Sequence, residues 1–227
     1  MNFVALSGLP RTGSTLLSAI LDQNPEVHAE GNSAVCQLMW DMQQSCENSS
    51  SEQLEANYRE STQDDLVRAI PAIYYKDSKA THIIDKCRSW TLPDNIKMLK
   101  RYVRDDPKVI VLTRPIDEIV QSFVELRKAN GWQGDVESDL LIPDSEPIMR
   151  SLNGVKWAQE NNNGEFLFIE YEDLVQSTAE VIDSIYTFCG MEQFMHDFNS
   201  IKNNHPENDL VYGLIGHHEI RSQIGVR

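Results

Sequence analysis

Residues 2–23 read NFVALSGLPRTGSTLLSAILDQ, and this stretch decides the fold. NFVALSG (2–8) is a short apolar run closed by a glycine, the pattern of a buried strand. Leu16, Leu17, Ile20 and Leu21 then share one helical face, and Asn24-Pro25 stops the helix. Between strand and helix lies Gly8-Leu9-Pro10-Arg11-Thr12-Gly13-Ser14-Thr15, with the glycine spacing of an anion-cradling P-loop. Successive backbone N–H groups and the positive end of the helix dipole make such a loop a cradle. Gly13 permits close backbone approach. An ordinary strand-to-helix turn with a Ser/Thr cap is the plainer reading, and the full strand–loop–helix context favours the cradle.

Outward from this unit the pattern alternates. THIIDK (81–86), KVIVLTR (108–114) and EFLFIEY (165–171) read as strands, the second being the clearest. Helical stripes appear over 32–46, over 62–76 with an interruption at Pro71, and at Leu92, Ile96, Leu99 and Val103. Pro115 suits a first helical turn, followed by the apolar face of Ile116, Ile119, Val120, Phe123 and Val124. Ile148, Leu152 and Val155 begin a further helix, and Ser177 with Glu180 spells a capping box opening one that runs to Gly190. ENSSSEQ (47–53) reads as a surface loop, and GWQGDVESDLLIPDSEP (131–147) as a long acidic one. Strand and helix in alternation predict an α/β fold, a P-loop-type parallel sheet flanked by helices on both faces, as one domain over 1–227. Ligands of such sheets bind beyond the carboxyl ends of the strands, which singles out residues 8–15, 85–90 and 113–122.

Composition excludes several classes. Of 227 residues, 41% are hydrophobic and 24% charged, and the formal net charge is −15. Nucleic-acid binding needs stripes of Lys and Arg, and an anionic membrane surface would repel this chain. No nucleic-acid or membrane partner is therefore expected. There is no run of about 18 apolar residues for a membrane span. No secretory leader is expected, since no basic region precedes the first apolar residues and Arg11 interrupts them. Cys36, Cys46, Cys87 and Cys189 show no paired spacing, which suits free thiols and a cytoplasmic setting. No metal site is expected, because the six histidines are scattered apart from His217-His218.

The cradle departs from the NTP-hydrolysing type. Those loops carry Lys before the final Ser/Thr; here that position is Ser14, and the cation sits earlier, at Arg11. No strand ends in the carboxylate that completes a magnesium site, and KVIVLT ends instead in Arg114. A donor other than ATP is implied, although a small P-loop kinase and a silent nucleotide-binding module stay open as alternatives. Ser122 lies eight residues after Arg114, about two helical turns on, so that a guanidinium and a hydroxyl can share one phosphate.

With these motifs in hand, the chain resembles the sulfotransferases that use 3′-phosphoadenosine 5′-phosphosulfate (PAPS). PRTGSTLL (10–17) is similar to their 5′-phosphosulfate loop, and closer to that of tyrosylprotein sulfotransferases than to that of the cytosolic enzymes. VIVLTRPIDEIVQS (109–122) resembles their 3′-phosphate motif, FIEYEDL (168–174) their YEDL strand end, and HEIRS (218–222) the end of compact bacterial members. The likeness spans 4–30, 82–122, 166–190 and about 212–227. It implies that Pro10, Arg11, Thr12, Gly13, Ser14 and Thr15 hold the 5′-phosphosulfate, Arg114 and Ser122 the 3′-phosphate, and Tyr171 the adenine, with Arg221 a further cation. It also implies that Lys86, ending IIDK, faces the sulfuryl group. Sulfuryl transfer, like phosphoryl transfer, has a loose transition state in which cations matter most, so Lys86 and Arg11 would serve without a metal.

The general base is where the motifs diverge. Cytosolic members place a His two residues after the lysine, where this chain has Arg88. Tyrosylprotein sulfotransferases use a Glu after the first helix; alignment puts Asn32 there, with Glu30 two residues earlier in the supposed turn HAEGNS. Glu30 is the expected base, then His28, then Asp85. The acceptor, a small hydroxyl compound such as a phenol or sugar, is expected against residues 31–46, the 131–147 loop and the C-terminal segment, with Trp40, Trp90 and Trp132 as candidate platforms.

Overall fold

Five strands form one fully parallel sheet in the computed structural model, which describes residues 1–143 and 145–224. The strands are β1 (Asn2–Gly8), β2 (Val27–Asn32), β3 (His82–Lys86), β4 (Val109–Thr113) and β5 (Phe166–Glu170), in the order β2-β3-β1-β4-β5. The helices are α1 (Ser14–Leu21), α2 (Val35–Gln44), α3 (Ser51–Ala56), α4 (Thr62–Tyr74), α5 (Pro93–Tyr102), α6 (Ile116–Ala129), α7 (Val136–Leu140), α8 (Met149–Glu160), α9 (Tyr171–Gln176) and α10 (Thr178–Cys189). β1 is central, pairing with β3 on one side and β4 on the other, so its carboxyl end opens at the point where the chain order reverses.

Side-chain alternation builds two cores from the same strands. Phe3, Ala5, Ile83, Val109 and Val111 face a layer that includes α2, α5, α6 and α8. Val4, Leu6, Ile84, Ile110 and Leu112 face α1 and α10. Near-continuous burial of β1 and β4 is what a sheet covered on both faces requires. The expected α/β class, with helices on both faces, is what the chain adopts. Gly8 fits because the strands close up there: at φ 125°, its missing Cβ would fall 2.1 Å from the Leu112 carbonyl oxygen.

Local expectations need correcting in five places. Residues 47–53 are not a loop, since a π-helical turn (Ser45–Ser49) leads into α3. Pro71 does not interrupt α4, which runs to Tyr74 with Pro71 buried in its last turn. HAEGNS is not a turn: residues 27–32 are edge strand β2, its register shifting between Ala29 and Asn32. The 131–147 stretch, apart from Asp144, which lies outside the described residues, contains α7, pinned by buried Val136 and Leu140. Ser177 is the N-cap of α10 but makes no side-chain cap bond, because α9 ends directly against it and the capping box does not form.

After α10 the chain changes character. From residue 190 to 224 its only helical element among the described residues is a single 3₁₀ turn, Asp209–Tyr212. This segment is tied back to the sheet by polar bonds, including Asp197 N–H to Gln23 Oε1 (2.8 Å) and Asn204 Nδ2 to Asp22 Oδ2 (3.0 Å). The last three residues of the C-terminal resemblance, 225–227, lie outside the described part.

Candidate active site

The loop after β1 is built around two unusual backbone conformations. Arg11 sits at φ 60° and Gly13 at φ 79°, both left-handed. Thr12 is buried and spends its hydroxyl inside the loop, donating to the Leu9 carbonyl at 2.7 Å. Gly13 is the N-cap of α1; no side chain caps that terminus and no acid occupies its first turn. The positive end of α1 therefore points without competition into a cleft of about 980 Å³ at the carboxyl ends of β1, β3 and β4.

Most of the expected residues meet in this cleft. Pro10, Arg11, Gly13, Ser14 and Thr15 line it from the loop, and Lys86, Arg114, Ser122, Tyr171 and Arg221 from elsewhere. Thr12 does not line it. Arg11 Nε donates to Ser122 Oγ at 3.0 Å and its Nη1 to the His217 carbonyl. Arg114 Nη1 donates to the Arg11 carbonyl at 3.1 Å, its Nε to Glu118 at 2.9 Å, and its guanidinium stacks 4.4 Å over the Tyr171 ring. The same ring backs Gly13, where a Cβ would lie 3.1 Å from it. Burial, reinforced by neighbouring Arg114, lowers the Arg11 pKa. Two guanidiniums held this close mark a place prepared for an anion.

Lys86 is nearly fully buried, at 4% exposure. Its Nζ donates to Glu207 Oε1 at 3.0 Å and to Thr15 Oγ1 at 3.4 Å. Burial lowers its pKa, and Glu207 works in the opposite direction. Adjacent Asp85 points to the other face of the sheet. It is completely buried and accepts from Ser33 Oγ (2.6 Å), Tyr75 OH (2.7 Å) and Trp90 Nε1 (2.6 Å). All its evident capacity is used in fastening β3 to its neighbours, which leaves it unsuited to act as a base.

Glu30 and His28 also lie apart from the cleft lining. Both belong to edge strand β2 and pair with each other, Nε2 to Oε2 at 3.3 Å. The acidic group beside Lys86 is Glu207, which burial pushes up but which Lys86 and His218 together bring below the usual carboxylate value. Glu207 Oε2 lies 3.3 Å from His218 Nε2, and His218 Nδ1 lies 2.6 Å from Asp209 Oδ1. Asn32, at the position aligned with the tyrosylprotein glutamate, donates to Glu207 from both its backbone (3.1 Å) and its side chain (3.2 Å). The residue before His218, His217, stacks on Phe123, and burial lowers its pKa to about 4. Its Nδ1 is buried without a partner at the cleft wall.

Sequence reasoning did not single out Glu207 and Asp209, nor their pairing with Lys86 and His218. The one available signal was two carboxylates and two histidines crowded into residues 207–218, a stretch with no hydrophobic period to explain it. The aromatic expectations also change. Trp90 is wholly buried, Trp40 lines a separate small groove and Trp132 is exposed, so none of the three borders the main cleft. Of the other expected acceptor walls, 31–46 contributes Asn32, the C-terminal segment contributes broadly, and the described part of 131–147 contributes nothing.

Comparison with known proteins agrees with this architecture. Solved structures share the fold: the sulfotransferase domain from the curacin biosynthetic pathway (18% identity, TM-score 0.55, covering 85% of this chain and 74% of that one). A sulfotransferase from Alicyclobacillus acidocaldarius is similar at 14% identity and TM-score 0.57, over 86% and 83% of the two chains. A mouse sulfotransferase complexed with PAP matches at 13% identity and TM-score 0.53, over 85% of this chain and 59% of that one. No curated protein sequence is a match. The model of the sulfotransferase family matches residues 4–196, which takes in both motif loops and all five strands except the first two residues of β1, and the chain belongs to that family.

Proposed function

We propose that this chain moves the sulfuryl group of PAPS to a hydroxyl of a small acceptor. The observation that carries the reading is the convergence of the uncapped α1 terminus, Arg11, Arg114 and Lys86 on one cleft whose loop lacks the ATP-type lysine. The residues suit such a donor: an open helix terminus and the Arg11–Arg114 pair take its phosphates, and the Tyr171 ring offers a flat face. When bound, PAPS supplies a sulfuryl group on a phosphosulfate anhydride, whose transfer builds charge on the bridging oxygen. The N–H groups from Arg11 to Thr15, with the Ser14 and Thr15 hydroxyls, bind the 5′ end. Arg114 and Ser122 hold the 3′-phosphate, and Arg221 adds a cation at the rim.

Lys86 is the group that answers the developing charge, in company with Arg11 and without requiring a metal ion. Its burial makes that charge count for more than it would in water. The proton of the acceptor hydroxyl goes to the Glu207–His218 pair. His218, which lines the cleft, is held at Nδ1 by Asp209 and at Nε2 by Glu207, so a proton taken up there is stabilised by both carboxylates. Glu30, engaged with His28 outside the cleft, is not assigned this task. The single domain over 1–227 acts as one unit, and the acidic balance of −15 favours a neutral or weakly charged acceptor over a polyanion.

Radiolabelled sulfuryl transfer from PAPS to a panel of phenols and sugars tests the proposal. Labelled product with stoichiometric release of 3′,5′-adenosine bisphosphate is the expected result. Phosphoryl transfer from ATP with magnesium, and none from PAPS, would replace it with a kinase.

A further inference from the structure

Outside the cleft, the fold gathers a second chemical cluster that the chain order conceals. Asp22 follows α1, His28 lies on β2, and His205 belongs to the irregular C-terminal segment, yet their ligand-capable atoms all lie within 4.8 Å of one another. His205 Nε2 is 3.4 Å from Asp22 Oδ1, and the two imidazole rings are 5.0 Å apart, centroid to centroid. Glu30 adds a carboxylate on the same side, with Oε2 3.3 Å from His28 Nε2. The four side chains are partly buried, from 10% exposure at Asp22 to 37% at His205, leaving a route in from solvent.

We propose that Asp22, His28 and His205 bind a divalent transition metal ion of the zinc type, with Glu30 as fourth ligand. Imidazole nitrogen and carboxylate oxygen are the donor set such ions favour. Four ligands about 2.0–2.1 Å from a tetrahedral centre stand about 3.4 Å from each other, the spacing already present at Asp22–His205 and at His28–Glu30. Supporting contacts are in place: Asp22 Oδ1 accepts from Ala29 N–H (3.3 Å), its Oδ2 accepts from Asn204 Nδ2 (3.0 Å), and the His28 ring meets Tyr75 edge-on at 5.5 Å.

The site has a structural consequence. His205 stands two residues before Glu207, in a segment with almost no regular structure. A metal joining His205 to α1 and β2 fastens that segment across the sheet edge and holds Glu207 against Lys86. Closing a long irregular segment by a metal clip stabilises it as a crosslink does.

The test uses the full chain without an affinity tag, freed of metal by chelation. Titration with cobalt(II) should give one equivalent of binding with the visible spectrum of a four-coordinate nitrogen–oxygen site. Saturating zinc should raise Tm by about 5–10 °C. His205→Gln and His28→Gln should each abolish the spectrum, Glu30→Gln should weaken binding about tenfold or more, and His82→Gln, outside the cluster, should retain it. Should the ligand variants fold poorly, histidine modification by diethyl pyrocarbonate on the wild-type chain decides: zinc should shield His28 and His205 selectively. Absence of stoichiometric uptake, or uptake and shielding indifferent to these residues, overturns the proposal. None of these readouts depends on sulfuryl transfer, so the metal site and the enzymatic reading fail separately.

Discussion

The two walls of the cleft are made in different ways. One wall consists of the β1 loop, the end of β3 and the start of α6, all held by a sheet whose strands are buried on both faces. The opposing wall, Tyr212 and residues 217–221, belongs to a segment with one 3₁₀ turn that is held by ion pairs and side-chain bonds. The first wall presents N–H groups and guanidiniums, and the second presents carboxylates and imidazoles. Under the proposed function that difference divides the chemistry: the cations on the sheet would take the charged donor, and the carboxylates and imidazole of the C-terminal segment the proton of the acceptor. It also puts the family match, which ends at 196, almost entirely on the first wall.

Lys86 joins the two walls, and removing it is the harshest way to break the comparison. Lys86→Met should cut kcat by roughly 10³-fold or more, since it deletes the charge proposed to face the transferring group. It also takes from Glu207 its lysine partner, so a fall in Tm should accompany the loss. Steady-state kinetics with a denaturation curve reads both effects.

Changes confined to one wall should separate in kinetics. His218→Gln should lower kcat by roughly 10²-fold while leaving the affinity for 3′,5′-adenosine bisphosphate intact. Asp209→Asn should act in the same direction, with a displaced pH profile, because it disturbs the tautomer of His218. Glu30→Gln should leave kcat within a few fold at saturating zinc. On the sheet side, Ser122→Ala should lower nucleotide affinity by about tenfold with little change in kcat for bound substrate. If His218→Gln instead lost nucleotide binding and kept its turnover, the division between walls would be wrong.

Gly13 tests the sheet wall through the backbone alone. Gly13→Ala must hold a Cβ at φ 79° and 3.1 Å from Tyr171. It should cost about 1–2 kcal/mol in stability and displace the ring beneath Arg114. Urea denaturation and a nucleotide titration measure the two consequences.

Acid should loosen the C-terminal wall first. His217 has its folded pKa lowered by burial to about 4, so the unfolded or detached form takes up a proton sooner. Its stabilising contribution is thus complete above the unfolded value of about 6.5 and fades as pH falls from there towards 4. Glu207 and Asp209, both lowered in the folded chain, lose their contributions in the same direction at lower pH. Hydrogen exchange followed between pH 7 and 4 should show residues 205–218 losing protection before β1 and β4 do.

The same contrast explains what could be read from the sequence. β1, β4 and the loop between Gly8 and Thr15 announce themselves, because burial on both faces demands apolar runs and tight turns demand glycine. Arg114 and Ser122, eight residues apart in the sequence, both line the cleft, and Arg11 donates to the serine. Glu207 escaped because its position is fixed by three-dimensional pairing across 121 residues with Lys86, and no local periodicity records such a contact. Glu30 misled for the complementary reason: HAEGNS carries turn-forming residues, but the hydrogen-bonding demand of β3 draws it into a strand that faces it towards His28. Histidines that looked scattered along the chain likewise meet once β2 and the C-terminal segment are laid side by side.

The net charge of −15 leaves room for a local cluster of cations, for Arg11, Lys86 and Arg114 stand together at the carboxyl end of the sheet. The measurement that tests the central claim most directly is a calorimetric titration of the full chain with 3′,5′-adenosine bisphosphate in the absence of magnesium, beside ATP with magnesium. The account predicts one site, micromolar or tighter for the bisphosphate, weakened at least tenfold in Arg114→Ala, and much weaker binding of ATP. Equal or tighter binding of ATP with magnesium, or bisphosphate binding indifferent to Arg114, would contradict it.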